Sequence, residues 1–282
     1  MSDSFSEHLE SWIRAACLTE ANAPKAGNVH PSASFDDLCY DDFVASANAV
    51  APILARQDLS VGRRILSAVE ETQRVVGKNT NLGIVLLLTP LASVQSNVLL
   101  KQGIGDVLAN CKTSDSECVF QAIQISQAGG LGKVDDHDVT DQPQLPLVDV
   151  MRMAEDRDLI ARQYTSQFEL VLGDGMRWLQ AELDKQNSLC DAVLGLQLQL
   201  MAQYPDTLIA RKCGITTALE SSERAHEVLS LTWHSDMARA QFEEFDQWLR
   251  ADGHRRNPGT TADIVCAILF AYMRENRVVL ES

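Results

Sequence analysis

The chain has no Cys-x-x-Cys pair, no basic N-terminal stretch running into an apolar one, no long hydrophobic run and few cations. Each absence removes a class of protein. The seven cysteines (17, 39, 111, 118, 190, 213, 266) are odd in number and scattered. They read as reduced, mostly buried thiols rather than as disulfides or a zinc site. Residues 1–10 carry no secretory signal. The longest apolar run, 84–88, soon meets Thr89-Pro90, far short of the roughly 20 residues that cross a bilayer. A cytoplasmic protein is expected. Against 39 Asp and Glu stand only 24 Lys and Arg, for a net charge of −15. Such a surface repels nucleic-acid backbones and anionic membranes, so neither is an expected partner. It would also repel a nucleoside triphosphate, and a site for one would need a divalent cation or a local basic cluster.

Strand-turn-strand alternation is missing as well, and helical periodicity fills the chain without a tail or low-complexity block. Phe5, Leu9, Trp12, Ile13 and Ala16 share one face of a first helix. Helices are expected over 40–54, from Ser60, and over 82–91, the last apolar on every side and so central. Ser114-Asp115-Ser116-Glu117 has capping-box spacing for another, which should end at Gly129-Gly130. A loop rich in Asp and Pro follows over 135–146. One long helix is then expected from Leu147 to about Leu172 and another from Met176. Ser188 caps a helix that Pro205 stops, helices follow over 220–231 and 237–251, and Thr260-x-x-Asp263 caps the last. The expected fold is all-α: a single-domain multi-helix bundle spanning 1–282, with its active site in interhelical loops and helix N-termini.

Four polar strings stand where helices begin or end, places suited to phosphates and metal ions. The first is Glu20 with Pro24-Lys25-Ala26-Gly27-Asn28-Val29-His30, which could equally be a proline-shaped loop with one solvated lysine. The second, Lys78-Asn79-Thr80-Asn81-Leu82-Gly83, has more hydrogen-bonding groups than one helix cap needs. The third is an echo. Arg157-Asp158-Leu159-Ile160-Ala161-Arg162 and Asp206-Thr207-Leu208-Ile209-Ala210-Arg211 share Leu-Ile-Ala-Arg after an Asp. Asp158 and Arg162, four apart, would make an ordinary ion pair, or the two segments could present like groups to one site. The fourth and most distinctive is Arg256-Asn257-Pro258-Gly259-Thr260-Thr261-Ala262-Asp263.

Together and in order, these strings resemble the triphosphoribosyl-dephospho-CoA synthase family. Its Glu followed by Pro-Lys-Pro-Gly-x-Val is met by Glu20 and Pro24 to Val29, and its Asn-Thr-x-x-Gly by Asn79 to Gly83. Its Asp-[ST]-x-[IVL]-x-x-Arg is approximated by the segment from Asp206, and its Pro-Gly-[GS]-[ST]-Ala-Asp by Pro258 to Asp263. Two departures mark a divergent branch. Ala26 replaces the second proline, and Ser34-Phe35-Asp36-Asp37-Leu38 replaces a Gly-Ser-His-x-Asp-Met element. Branches of this kind are linked to pterin-dependent one-carbon metabolism, which implies that the acceptor could differ from dephospho-CoA.

The resemblance implies transfer of the triphosphoribosyl group of ATP to a hydroxyl acceptor, dephospho-CoA or a related cofactor precursor, with release of adenine. It implies catalysis by Asp263, Asp206 and Glu20. Lys25, Lys78, Arg211 and Lys212 would take the triphosphate, with Asn28, Asn79, Asn81, Thr260 and Thr261 beside them, and His30 could donate to adenine. Mg²⁺ would be held by some of Asp36, Asp37, Asp206 and Asp263. The chain could pair as a homodimer. The alternatives are a non-catalytic nucleotide-binding or regulatory protein, or a plain helical interaction protein.

Overall fold

A computed structural model describes residues 2–126, 144–185, 188–233 and 235–280. The helix end expected at Gly129-Gly130 and most of the loop expected over 135–146 lie outside these. The described residues form α1 (Ser2–Asn22), α2 (Tyr40–Leu54), α3 (Val61–Val75), α4 (Leu82–Ala92), α5 (Leu100–Ala109), α6 (Thr113–Ser126), α7 (Leu147–Arg152) and α8 (Leu159–Thr165). After a π-helical turn, Leu170–Gly175, come α9 (Met176–Asp184), α10 (Leu189–Gln203), α11 (Thr207–Cys213), α12 (Ile215–Leu229), α13 (Asp236–Arg250) and α14 (Gly259–Asn276). No strand occurs among the described residues, only two isolated bridges in the 30–38 loop, so the expected all-α class holds. No described helix is long and apolar enough to cross a membrane.

Two helices without a polar face set the architecture. Every residue of α4 from Gly83 to Ala92 is buried, and α14 is buried from Ile264 to Ala271. They pack on each other, with α1, α2 and α3 on one side and α8, α9 and α10 on the other. A smaller apolar cluster, centred on Leu198, Met201, Ile209, Phe245 and Leu249, joins α10 to α13 and includes Ala26 of the first polar loop. Helix ends inside the core need partners for their last carbonyls. Buried Arg64 supplies them to Leu54 at the end of α2, and buried Arg274 donates to Val94 and Gln95 just beyond α4, both at 2.9 Å. The Tyr164 hydroxyl donates to the Leu86 carbonyl at 2.6 Å, fastening α8 to α4.

Three expectations about local structure need correction. The long helix from Leu147 is broken twice. Asp158 leaves helical backbone (ψ 114°) and its side chain accepts from Ile160 and Ala161 N–H, restarting the chain as α8. Gln167 and Phe168 then take left-handed backbone (φ 53° and 61°), with Phe168 fully buried, so packing outweighs backbone preference there. In α6, Ser114 lies inside the helix. Asp115 instead accepts from the backbone N–H groups of Lys112 and Gly62, both at 2.8 Å, tying α6 to α3. The third correction matters most. Pro258 is the residue before α14, no side chain caps that helix, and Asp263 accepts instead from the Ile84 N–H of α4.

Candidate active site

The polar strings converge on one cavity of about 1150 Å³. That exceeds the roughly 300–1,000 Å³ of a pocket for a single small ligand. Its surface divides into three. Lys78, Arg157, Arg211 and Lys212 bring cations, Glu20, Asp158 and Asp263 bring carboxylates, and α6 and α7 add an apolar arm.

Loop architecture explains how the first and fourth strings meet. Gln197, fully buried on α10, accepts from Ala26 N–H at 2.9 Å and donates to the Ala26 carbonyl at 2.8 Å and to Asn28 Oδ1 at 3.1 Å. The Asn28 amide then donates to Asn257 Oδ1 at 2.7 Å. Gly27 (φ 72°) lies where a Cβ would come within 3 Å of Leu249 and Pro258. A glycine is therefore required both by the left-handed backbone and by the close approach. Ala26, the departure from the family's proline, contributes an N–H that proline lacks.

Two carboxylates on the cavity wall have opposite surroundings. Glu20 forms an ion pair with Lys25 Nζ at 2.8 Å, and Lys25 is wholly buried behind it. Asp263 has no cationic partner among the described residues. Burial first, and then the charges of Glu20, Asp206 and Asp158, hold its carboxyl well above the usual carboxylate range; the Ile84 N–H opposes this only in part. Its carboxylate lies where Gly83 would carry a side chain, 2.0 Å from the Cβ position. The second and fourth strings are thus fitted together by the missing side chain of Gly83.

The two halves of the echo also meet. Both aspartates precede short helices, Asp158 before α8 and Asp206 before α11, and each accepts from backbone N–H groups two and three residues on. The ion pair expected within the first segment does not form. Asp158 pairs with Arg211 of the other at 2.8 Å, and Arg162 donates to the Glu155 carbonyl. Arg211, Lys212, Arg157 and Asp158 all line the cavity. Burial, and then the neighbouring Arg211, lowers the Lys212 pKa.

Several assigned residues are placed elsewhere. Asp206 is buried outside the cavity wall. It accepts from Leu208, Ile209 and Thr261 N–H and from the Thr261 hydroxyl at 2.7–3.0 Å. It joins the starts of α11 and α14, so its metal and catalytic roles are withdrawn. Thr261 is spent on the same contact. Lys25 serves Glu20 and does not line the cavity, which removes it from the phosphate set. His30 faces a separate hollow with Phe242 and Asp246 and does not line the cavity. Asp36 is exposed and off the cavity wall. Asp37 lies on the rim, 3.1 Å from His254 Nδ1.

Of the rest, Thr260 lines the cavity and accepts from Thr207 at 3.1 Å. Lys78 pairs with Asp42 at 2.8 Å on the rim. Asn79 caps Leu82 N–H at 3.2 Å, whereas Asn81 accepts from Thr72 and leaves its buried Nδ2 without a partner. A buried donor left open in a cavity wall is suited to a ligand oxygen. Among the described residues, no group of three or more His, Cys, Asp or Glu is arranged to hold a metal ion. The cavity residue His254 and the apolar arm escaped the sequence reading, which named Asn257 within the fourth string but gave it no role. Only the position of His254 shortly before that string could have pointed to it.

Comparison with known proteins places the chain in a family. No curated protein matches the sequence. A solved structure from Archaeoglobus fulgidus, provisionally described as a triphosphoribosyl-dephospho-CoA synthase, is 25% identical, with a TM-score of 0.62 over 82% of this chain and 98% of that one. The family model described as ATP:dephospho-CoA triphosphoribosyl transferase matches residues 6–281. The chain therefore belongs to the ATP:dephospho-CoA triphosphoribosyl transferase family, and is a transferase that moves the triphosphoribosyl group of ATP to a hydroxyl acceptor, dephospho-CoA or a related one, with release of adenine.

Proposed function

We propose that Glu20 and Asp263 are the two groups that meet the reacting ribose, with the triphosphate held toward Arg211, Lys212, Arg157 and Lys78. The observation that carries this reading is the contrast between the two carboxylates. Glu20 is paired with a buried lysine, whereas Asp263 has burial and like charges around it, offset only by the Ile84 N–H. A carboxyl group held protonated by burial and like charges beside a second that is ion-paired to a lysine is suited to the role of acid.

Glu20, held in its ion pair with Lys25, faces the positive charge that develops on the sugar as the glycosidic bond breaks. Asp263 enters protonated and gives its proton to the departing adenine. The resulting carboxylate takes the proton of the acceptor hydroxyl as its oxygen bonds to the anomeric carbon. Protons balance over the cycle: adenine gains one, the acceptor loses one, and Asp263 is restored.

Magnesium suits the rim rather than an all-protein cage. It retains waters and needs only one or two carboxylates when phosphates supply the other ligands, and Asp37, among His254 and Lys212, is the residue to hold it. Bound there, it would offset triphosphate charge. The same reading makes the chain a single cytoplasmic domain.

The test is adenine release by the purified chain given ATP, Mg²⁺ and dephospho-CoA, then other hydroxyl acceptors. Release with at least one acceptor is expected, with loss in Asp263→Asn and Glu20→Gln folded as the parent. No adenine with any acceptor would overturn the reading. Full activity in either variant would remove that residue from the mechanism.

A further inference from the structure

Three side-chain amides run in a line from the core to the cavity wall. A lone carboxamide can present oxygen or nitrogen, and its partners decide which. Gln197, wholly buried on α10 and off the cavity wall, accepts from the Ala26 N–H and donates to the Ala26 carbonyl. A backbone N–H can only donate and a backbone carbonyl can only accept, so together they fix both ends of the Gln197 amide. Its second Nε2 hydrogen goes to Asn28 Oδ1 at 3.1 Å. The Asn28 amide must therefore turn its nitrogen the other way, and that nitrogen donates to Asn257 Oδ1 at 2.7 Å. Asn257 lines the cavity with its oxygen already committed. Its Nδ2 takes part in no hydrogen bond among the described residues. Reversing the line would set the Asn28 nitrogen against the Gln197 nitrogen, two buried donors with no acceptor between them.

We infer that Gln197 is a positioning residue, acting through Asn28 to present Asn257 Nδ2 to the cavity as a donor, and that Asn257 thereby selects a substrate oxygen. This rests on the reading above that the cavity holds the reacting substrates. The oxygen belongs to phosphate, to ribose or to the acceptor, all of which accept hydrogen bonds. The polarity is set at Ala26, whose N–H is the one that a proline at this position would not have. Neutral amides carry orientation along such a line without adding charge, so the acidic cavity wall keeps one donor facing the ligand. Gln197 never meets the substrate, and its influence on binding passes wholly through Asn257.

The experiment is calorimetric binding of inorganic triphosphate, ATP and dephospho-CoA to the full chain, to Asn257→Ala, to Gln197→Met and to the double variant. Asn257→Ala should weaken at least one probe by about fivefold or more, the loss of one hydrogen bond. Gln197→Met lets the Asn28 amide turn and should weaken the same probe by about threefold. The double variant should bind no more weakly than Asn257→Ala alone, whereas a residue that merely supports the fold would add its own loss. Asn28→Asp, of almost the same shape, serves if Gln197→Met does not fold. The new carboxylate accepts from Gln197 and Asn257 at once, turning the Asn257 oxygen to the cavity. The same probe should then weaken by about tenfold, again less than additively with Asn257→Ala. Loss for ATP and inorganic triphosphate alike assigns a phosphate oxygen, loss for ATP alone the ribose, and loss for dephospho-CoA alone the acceptor; each supports the inference. Unchanged affinity of Asn257→Ala for all three probes, or an additive double variant, would overturn the inference alone. A parent chain that binds none of the probes would overturn the reading of the cavity, and this inference with it.

Discussion

Replacing Gly83 with alanine tests the central contact of the site. The new Cβ would lie 2.0 Å from Asp263 Oδ2, 2.4 Å from its Cγ and 2.7 Å from Ile160 Cδ1, against 3.4–4 Å for ordinary contact. Gly83 is in the first turn of the buried helix α4, whose backbone cannot withdraw. The carboxylate must therefore leave its place. Overpacking of this kind costs about 1–3 kcal/mol, or roughly 2–5 °C in melting temperature for a chain of this size. Helix propensity alone would favour alanine by about 1 kcal/mol, so a measured loss reports the clash. Adenine release should be abolished, since the displaced carboxylate no longer meets the ribose. In a double-mutant cycle, Asp263→Ala should relieve the clash, leaving the double variant about 1–2 kcal/mol more stable than additivity predicts. Thermal melts and a chromatographic adenine assay give both readouts. Wild-type melting and wild-type adenine release in Gly83→Ala, or an additive cycle, would refute the reasoning.

Asp263→Asn should stabilise the protein at neutral pH by about 1–2 kcal/mol while removing activity, the trade expected where a site holds an uncompensated group. The sign follows from linkage. The folded carboxyl titrates above its unfolded value, so between the two pKa values the folded state binds more protons and wild-type stability falls as pH rises. The variant should lack that decline, which melts across a pH series would detect; an unchanged slope would count against Asp263 as its source. In wild type, turnover should fall on the alkaline side as Asp263 loses its proton, a limb visible in kcat against pH. Lys25→Met leaves Glu20 buried without its cation and should cost about 3–5 kcal/mol; denaturant unfolding with a loss under about 1 kcal/mol would contradict the buried pair. Ala26→Pro, which restores the family's proline, deletes the N–H held by buried Gln197 and should destabilise by about 1–3 kcal/mol in the same assay, whereas a stabilised variant would show that the contact is dispensable.

Most helices were legible because burial imposes period and length. The expected span 40–54 is α2, and Ser188 does cap α10, its hydroxyl accepting from Asp191 N–H. What misled was residue chemistry that is local in sequence but not in space. Ser114 to Glu117 has a capping pattern, yet Asp115 turns to Gly62 of another helix. The run from Leu147 has helical periodicity throughout. Nothing in that periodicity reports that Phe168 must enter the core through left-handed backbone.

The site was legible as a set of strings but not as a set of roles, and the reason is hydrogen-bond accounting. A polar residue in a family-like motif can meet the ligand or hold the residues that do, and composition cannot separate the two. Asp206 and Asp263 both looked like metal-binding or catalytic carboxylates. Asp206 has its oxygens spent on three N–H groups and a hydroxyl, so nothing is left for a substrate. Asp263 looked as if it were half of a capping box, which would have spent it too. α14 instead starts at Gly259 without a side-chain cap, and that keeps the carboxylate available. Lys25 and Glu20 follow the same logic from the other side. The lysine is consumed in the ion pair, so its role is to hold the buried glutamate on the cavity wall rather than to meet a ligand itself. The echo completes the argument. Two aspartates in nearly the same local sequence both spend an oxygen on the helix that follows, but Asp158 keeps its second oxygen on the cavity wall, holding Arg211, while Asp206 gives its second to Thr261. The distinction between a residue of the site and a residue of its frame thus rests on one oxygen atom, which a sequence motif does not encode.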